Sequence, residues 1–470
     1  MKNRTRRVNN LGTDDIKSLV PRIALPAMLA QFVSVFYSIV DRMYIGNIPE
    51  IGETALAGVG ICGPIVTMIS AFAAWVGIGG APLMSIKMGE KNQQGAERIL
   101  ANCFLLLLGM SVVITGLAYA SKDVLLRWFG ATETIFPYAQ EYMSVYIAGT
   151  VFAILSLGLN QFITCQGFAG LGMCSVVIGA VCNIVLDPIF IFGLHMGVVG
   201  GAAATVVSQA ASCIFALCVL FGKRVPVRIT FTRTLDRKIC RSVFILGLTP
   251  FLIILFDNIL IVIQNIMIKQ FGGNENDLLL TCNTIVQSFM LMVTMPLSGI
   301  SGGTQSILGY NYGAGNARRI IDAEKQILKV AVIFTAVMFL FAQCGAGLFA
   351  RIFTGEVQYI EMTRRFICIY TLGIIPLAVQ YVLVDGLTGM GIARLALPLS
   401  FFRKTVYISL VIWLSIKFGA ATMFWAEPVS DVVSPIVSAI VFFVTIPKLL
   451  KERGMQIERE RSISQKQTKI

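Results

Sequence analysis

Apolar residues along this chain come in long continuous runs separated by short polar turns, not in alternation. Twelve runs can be marked, near 17–44, 53–84, 96–120, 135–162, 172–193, 198–222, 239–270, 279–308, 321–350, 359–387, 394–417 and 422–447. Each is near or above the roughly 20 residues a helix needs to cross a bilayer. A transmembrane barrel would alternate apolar and polar positions, so the pattern predicts helices. The expected fold is an all-α polytopic membrane protein with twelve transmembrane helices.

The polar turns carry a topology signal. Basic residues collect in the first ten residues (Lys2, Arg4, Arg6, Arg7) and after span 6 (Lys223, Arg224, Arg228, Arg233, Arg237, Lys238). More follow span 8 (Arg318, Arg319) and span 12 (Lys448, Lys451, Arg453, Arg459, Arg461), whereas the alternate turns are poorer, with Lys122, Arg127 and Arg351 as exceptions. Basic loops stay on the cytoplasmic side, so both termini are expected there. No apolar h-region with a small-residue cleavage site precedes Pro21, which argues against a cleaved signal peptide. From Glu452 onward the chain turns polar, and disorder is expected there.

A duplication is also legible. Displaced by 224 residues, Pro26 falls on Pro250, Asp41 on Asn265, Gly89 on Gly313 and Asn92 on Asn316. Further along, a displacement of 219 sets Gln166-Gly167 on Asp385-Gly386 and Gly170 on Gly389. Six spans per half make two parallel, pseudo-symmetric lobes. The expected division is a cytoplasmic tail at 1–16, an N-lobe at 17–222, a cytoplasmic linker at 223–238, a C-lobe at 239–447 and a basic cytoplasmic tail at 448–470.

Composition agrees with a membrane protein: of 470 residues, 56% are hydrophobic and 13% charged, with a mean hydropathy of +0.78. Soluble domains carry roughly 25% charged residues. The formal charge of +13 sits in loops and tails, a topology pattern rather than a nucleic-acid surface. The eleven cysteines are scattered with no CxxC spacing, and small apolar fillers is the simplest account of them. His195, the only histidine, falls in a short turn and is expected on the surface.

Polar side chains inside the spans mark candidate chemistry. Span 1 carries Gln31, Ser34, Ser38 and Asp41 at helical spacing, with Tyr37 one turn before Asp41. Span 5 places Asn183 and Asp187 on one face, and span 6 carries Thr205, Ser208, Gln209 and Ser212. Hydroxyls and amides at such positions can simply tie helices together, at about 1 kcal/mol each. A carboxylate is different: near the bilayer centre it costs roughly 2.5–3.5 kcal/mol, and it usually faces a cavity on an ion or proton path. Arg42 follows Asp41 but projects about 100° away around a helix. In the second half the candidates are Asp257, Gln264, Asn265, Asn283, Gln287, Tyr381 and Asp385; Asp257 is expected deep in its span, Asp385 near a boundary.

No phosphate-binding loop, zincin motif or nucleophile elbow occurs in the sequence, so neither ATP-driven pumping nor hydrolysis is indicated and no enzyme is expected. An ion gradient is the remaining source of energy for pumping.

The chain resembles the multidrug and toxic compound extrusion (MATE) family over almost its whole length. Four segments carry the likeness: Leu25-Pro26 with Val40-Asp41-Arg42-Met43-Tyr44-Ile45-Gly46; Ala55-Leu56-Ala57-Gly58-Val59; Gln166-Gly167; and Asn183-Ile184-Val185-Leu186-Asp187-Pro188-Ile189-Phe190-Ile191-Phe192-Gly193. The last is the most specific, and the likeness leans towards the bacterial branch with MepA-type and DinF-type members. The resemblance implies a V-shaped pair of six-helix lobes that exchanges cationic or amphipathic compounds for H⁺ or Na⁺ by alternating access. It also implies that Asp41, Asn183, Asp187 and Thr205 match the family's N-lobe cation site, which Tyr37 adjoins, and where Na⁺ would find oxygen ligands. Many members place a glutamate in span 7, where this chain offers only Asp257; Asp385 matches a span-10 acid of some members.

The expected protein is thus a multidrug antiporter of the bacterial cytoplasmic membrane, acting as a monomer on drug-like cations, with no cofactor beyond the coupling ion and no nucleic-acid partner. Gln31, Ser34, Ser38, Gln209, Asp257, Asn265, Asn283, Gln287, Tyr381 and Asp385 are the expected cleft candidates. A flippase for lipids or lipid-linked oligosaccharides is the alternative. Its anionic headgroups would call for Lys or Arg in the cleft, and the spans are expected to offer acids instead.

Overall fold

Every expected span is met by helix. The computed structural model describes residues 9–230 and 235–467, and among these the regular elements are all helical. In the first half they are α1 (Ile16–Gly46), α2 (Gly52–Gly89), α3 (Gln93–Trp128), α4 (Phe136–Ala148), α5 (Thr150–Thr164), α6 (Ala169–Pro188) and α7 (Gly197–Phe221). In the second they are α8 (Arg237–Phe271), α9 (Asn276–Ala314), α10 (Ala317–Ala350), α11 (Val357–Tyr370), α12 (Ile374–Gly389), α13 (Ala393–Phe418) and α14 (Ala426–Gln467). Among the described residues eleven helical stretches are each long and apolar enough to cross a membrane, and α4 with α5, bent by 57°, makes a twelfth when counted as one span. Lys2, Arg4, Arg6, Arg7 and Arg233, which entered the expected topology, lie outside the described residues.

Two expectations need correction. The segment from Glu452 onward is not irregular: α14 continues to Gln467, because its Glu-, Arg- and Gln-rich sequence favours helix even without apolar faces. Its start is also docked, with Arg453 pairing with Glu90 and lying over the Tyr312 ring at 5.5 Å. The second correction concerns the displacement of 219. Gly167 (φ 87°) and Gly391 (φ 76°) both adopt left-handed backbone just before α6 and α13, so Gln166-Gly167 corresponds to Met390-Gly391. The displacement is 224 here too.

Local geometry repeats at that displacement. Asn92 (φ −93°, ψ 80°) caps α3 and Asn316 (φ −92°, ψ 77°) caps α10; each side chain accepts a hydrogen bond from the backbone N–H three residues on, at 2.8 and 3.3 Å. Such caps satisfy a donor the helix start would leave unpaired. Before each cap the chain turns left-handed, at Gly315 (φ 74°) and at Lys91 (φ 58°). Glycine does this freely; the lysine bears a strain of roughly 1–2 kcal/mol.

Backbone proximity divides the chain into two compact units. Among the described residues the first comprises Asn9, Leu29–Met88 and Asn92–Ile254, the second Asn10–Met28, Gly89–Lys91 and the chain from Leu255 onward. The leading part of α8 therefore belongs with α1–α7, and the leading part of α1 with α8–α14. The changeovers fall just after Pro26 and Pro250, where the missing N–H interrupts each helix ladder.

In the first unit α2 crosses the leading part of α8 backbone to backbone. A Cβ on Gly79 would lie 2.9 Å from the Gly247 Cα, and one on Gly247 would collide with the Trp75 carbonyl oxygen. The Trp75 indole donates to the Phe244 carbonyl at 2.9 Å and stacks on Phe251 at 4.4 Å. In the second unit α9 crosses the leading part of α1 at the equivalent place, Gly303 against Ala27 at 2.6 Å from an added Cβ. Each unit has its own apolar core. Leu100, Leu107, Ile147 and Phe162 are fully buried in the first, Phe289, Ile367 and Val411 in the second. Leu117, Leu340 and Phe443 remain exposed, as lipid-facing side chains do in a membrane protein.

Mid-span breaks also recur, at Gly149 between α4 and α5 and at Gly373 between α11 and α12. The nearest atoms to an added Cβ on Gly149 belong to the Val206 side chain, from 2.4 Å, whereas one on Gly373 would lie 2.6 Å from the Asp431 Cβ and 2.9 Å from the backbone Cα of Pro428. Gly373→Ala is expected to cost about 1–3 kcal/mol by overpacking, and Gly149→Ala less. Thermal unfolding in detergent checks the order; equal midpoints for the two variants contradict it.

Candidate functional site

Four helices of the first unit bring their polar side chains together. Asp187, fully buried near the end of α6, accepts a hydrogen bond from the Asn183 amide at 3.1 Å. That amide also lies 3.4 Å from the Thr205 hydroxyl on α7. Asp41 on α1 faces Asp187, the two carboxyls within hydrogen-bonding reach of each other. Tyr37 adjoins Ser34, Ser38 and the Asp41 carboxylate.

The helical stripes explain this meeting. Steps of three and four keep α1 polar positions on one side, and the four-residue step from Asn183 to Asp187 stacks both over one turn. Pro188 and the wide helical turn at Ile189–Gly193 follow at once. Wide turns of this kind are frequent at functional sites.

Three buried oxygens here accept no hydrogen bond: Asp41 Oδ1, Asn183 Oδ1 and Asp187 Oδ2. Orphan acceptors in a low-dielectric interior are costly unless a proton or cation satisfies them. One proton between the carboxyls would serve their two oxygens, and Na⁺, for which these oxygens and the Thr205 hydroxyl form a hard donor set, would serve all three. Among the described residues no group of three or more His, Cys, Asp and Glu converges in a metal-binding arrangement, so an ion here would depend on the neutral Asn and Thr oxygens.

Two residues that periodicity did not single out complete the wall. Tyr142 on α4 reaches the Thr205 hydroxyl and faces Asp41. Tyr146, one turn on and stacked with Tyr142 at 6.2 Å, lies 3.4 Å from the Gln209 amide. Their four-residue spacing was the available signal, but aromatic pairs at that spacing are common in any core. Gln31 and Ser34 on α1 are half-buried, and Ser38 is exposed with its hydroxyl on the Ser34 carbonyl at 3.0 Å.

The candidates of the second half do not form one site. Asp257 is not deep and unpaired: its side chain is 48% exposed and it pairs with Lys404 on α13. Asn265 is exposed, and Asn283 is buried with its carbonyl oxygen unpartnered. Gln287 joins a separate chain of hydrogen bonds: it donates to Gln264 at 3.2 Å and to the Tyr370 hydroxyl at 3.0 Å, and Tyr370 and Tyr407 share a 2.6 Å bond. Asp385 accepts from Ser301 at 2.5 Å and adjoins the buried Glu324 on α10, neither of whose oxygens has a partner. Tyr381 lies amid the charges of Arg403, Asp257, Asp385 and Asp431.

The expectation that the spans offer acids and no bases is thereby corrected. Arg403 and Lys404 both lie within α13, each held by carboxylates on other helices: Arg403 by Glu427 and Asp431, Lys404 by Asp257. Sequence spacing alone could not reveal these pairings, because the partners lie on other helices.

Comparison with known proteins places this architecture. Multidrug export protein MepA of Staphylococcus haemolyticus (strain JCSC1435) is 22% identical over 444 residues, covering 93% of this chain and 95% of that protein. Multidrug export protein MepA of Staphylococcus aureus (strain MSSA476) is 21% identical over 446 residues, with the same coverage. A solved structure described as the outward-facing conformation of a multidrug resistance MATE family transporter of the MOP superfamily superposes with a TM-score of 0.87. It shares 25% identity and covers 94% of this chain and 98% of that one. The model of the MatE family matches residues 26–189 and 253–414, one segment from each half and together well over half of the chain. On that match, and with the helical order it accompanies, this chain belongs to the MatE family of membrane transporters.

Proposed function

We propose that the protein is a secondary active multidrug efflux antiporter of a bacterial cytoplasmic membrane, exporting cationic or amphipathic compounds in exchange for H⁺ or Na⁺. The observation that carries this reading is the facing pair Asp41 and Asp187, with orphan oxygens on both carboxyls and on Asn183. Two carboxylates in a buried pocket repel each other and lose hydration, so at least one is neutralised by a bound positive charge. Filling or emptying the pocket changes the forces among α1, α6 and α7 and biases the equilibrium between two transport states.

Asp41, Asn183, Asp187 and Thr205 are the proposed coupling residues, with Tyr37 beside them. Gln31, Ser34, Ser38 and Gln209 extend the polar surface available to substrate; aromatic and methionine side chains suit a flat cationic drug. The proposed topology puts both termini in the cytoplasm, with a monomer as the working unit. A flippase for anionic headgroups is less well supported, since Arg403 and Lys404 are already held by three carboxylates.

Proteoliposomes loaded with ethidium test the reading. A pH gradient and an Na⁺ gradient are imposed separately, and whichever drives ethidium against its own gradient identifies the coupling ion. If neither moves it, antiport of such compounds is ruled out.

A further inference from the structure

A second charge cluster, in the other unit, is short of one positive charge. Arg403 donates from Nε and Nη2 to Asp431 Oδ1 at 3.0 and 2.8 Å, and from Nη2 to Glu427 Oε1 at 2.7 Å. The three side chains are only 11%, 0% and 7% exposed, in the order Arg403, Asp431, Glu427. Lys404 and Asp257 close on each other beside them. Two cations therefore face three carboxylates.

The unsatisfied oxygens lie where the surplus is. Glu427 Oε2 and Asp431 Oδ2, four residues apart on α14, accept no hydrogen bond, and the buried Ser434 hydroxyl one turn on is also unpartnered. The titratable groups facing the pair are Arg403, Lys404 and Tyr407 from α13, Tyr370 from α11 and Tyr381 from α12, with Asp257 of α8 reached through Lys404. None supplies the missing positive charge. Leaving a buried carboxylate uncompensated is strongly unfavourable, because it has lost its hydration without gaining a partner. A metal ion fits poorly, because the guanidinium already occupies one side of both carboxylates and would repel it. A proton needs no coordination shell.

We propose that Glu427 and Asp431 share one exchangeable proton, forming a proton-binding site in the second unit separate from Asp41 and Asp187. Binding converts one of the two carboxylates, both held by the same Arg403 Nη2, to the neutral acid; release restores the surplus negative charge beside Arg403. That this proton counts in the transport cycle rests on the exporter reading above. Its presence does not.

Infrared spectroscopy of purified protein tests the site without transport. The parent is an Asp41→Asn/Asp187→Asn variant, so that the first pocket contributes nothing. At neutral pH it should show a protonated-carboxyl C=O band that shifts in D₂O. Either Glu427→Gln or Asp431→Asn should remove one such band, because the remaining carboxylate is then balanced by Arg403 alone. Retention of the full band set in either variant overturns the shared proton, and so does loss of the band when NaCl is raised at constant pH. Failure of the exporter reading would appear separately, as absent ethidium flux in the unsubstituted protein while these bands stay intact in the Asp41→Asn/Asp187→Asn parent. Because each substitution is nearly isosteric and the two are independent, misfolding of one variant leaves the other to decide.

Discussion

In cells making the protein at ordinary levels, Asp187→Asn should return ethidium resistance to that of cells lacking the protein. Asparagine keeps the shape of the side chain, and its carbonyl can still accept from the Asn183 amide, which lies 3.1 Å from the present carboxylate. What is lost is the charge. A ligand that drives a two-state exchange from one side to the other must prefer one state by about 10⁴-fold, or about 5.5 kcal/mol. A neutral residue cannot bind the coupling cation with that preference. Asp41→Asn should behave the same way, since the two carboxyls face each other. Membrane abundance and thermal stability should stay near the parent's, which separates loss of coupling from loss of fold. Full resistance in both single variants would remove these residues from the mechanism.

Gly247→Val should leave almost no folded protein. The position sits where α8 crosses α2, and even a single Cβ meets the Trp75 carbonyl oxygen and lies 2.8 Å from the Trp75 ring. A clash with backbone cannot be relieved by a rotamer change, so the two helices must part. That would release the Trp75–Phe244 hydrogen bond and the stacking on Phe251. Overpacking in a tight core costs roughly 1–3 kcal/mol, and a displaced helix more. The matching control is Gly302→Ala on α9, where an added Cβ meets nothing within 4 Å and helix propensity improves by up to about 1 kcal/mol. Monodisperse yield in detergent reads both; a normal yield and midpoint for Gly247→Val would contradict the crossing.

Much of this architecture is legible in the sequence, for definite reasons. Span limits could be read because apolar runs long enough to cross a bilayer have no other use in a chain with so little charge. Asp41 and Asp187 stood out because a carboxylate in such a run is costly, and helical spacing showed which neighbours share its face. The duplication was visible through Asn92 and Asn316, whose side chains do the same capping work. The later displacement went astray because Gly386 and Gly391 both lie near the end of α12, and only backbone conformation tells them apart: Gly391 has φ 76°.

Pairings between helices were not legible. Asp257 looked isolated, but it is half-exposed and pairs with the largely buried Lys404, 147 residues away. Arg403 meets Glu427 and Asp431 for the same reason: the carboxylates lie 24 and 28 residues further on, on another helix, and reach the guanidinium only after packing. Tyr142 and Tyr146 were hidden differently, since a tyrosine with a hydroxyl in a polar pocket has the same spacing as one in an apolar core. Glu324 carried the signal of a buried acid but sat near a span end, where a solvated carboxylate is ordinary.

The way α1 is shared between units bears on how the protein is made. Asn10–Met28 groups with the second unit, and its close neighbour Gly303 lies in α9. At about 5–20 residues per second of synthesis, this stretch waits on the order of 15–55 s before that neighbour leaves the ribosome. During that interval it rests in lipid, or against whatever holds newly inserted helices, with its packing surface open. The leading part of α8 has no such delay, because α2 is already in place when it emerges. Maturation of the two halves is therefore ordered: the first can complete its packing as soon as α8 arrives, whereas the second must recruit a helix start inserted long before its own helices.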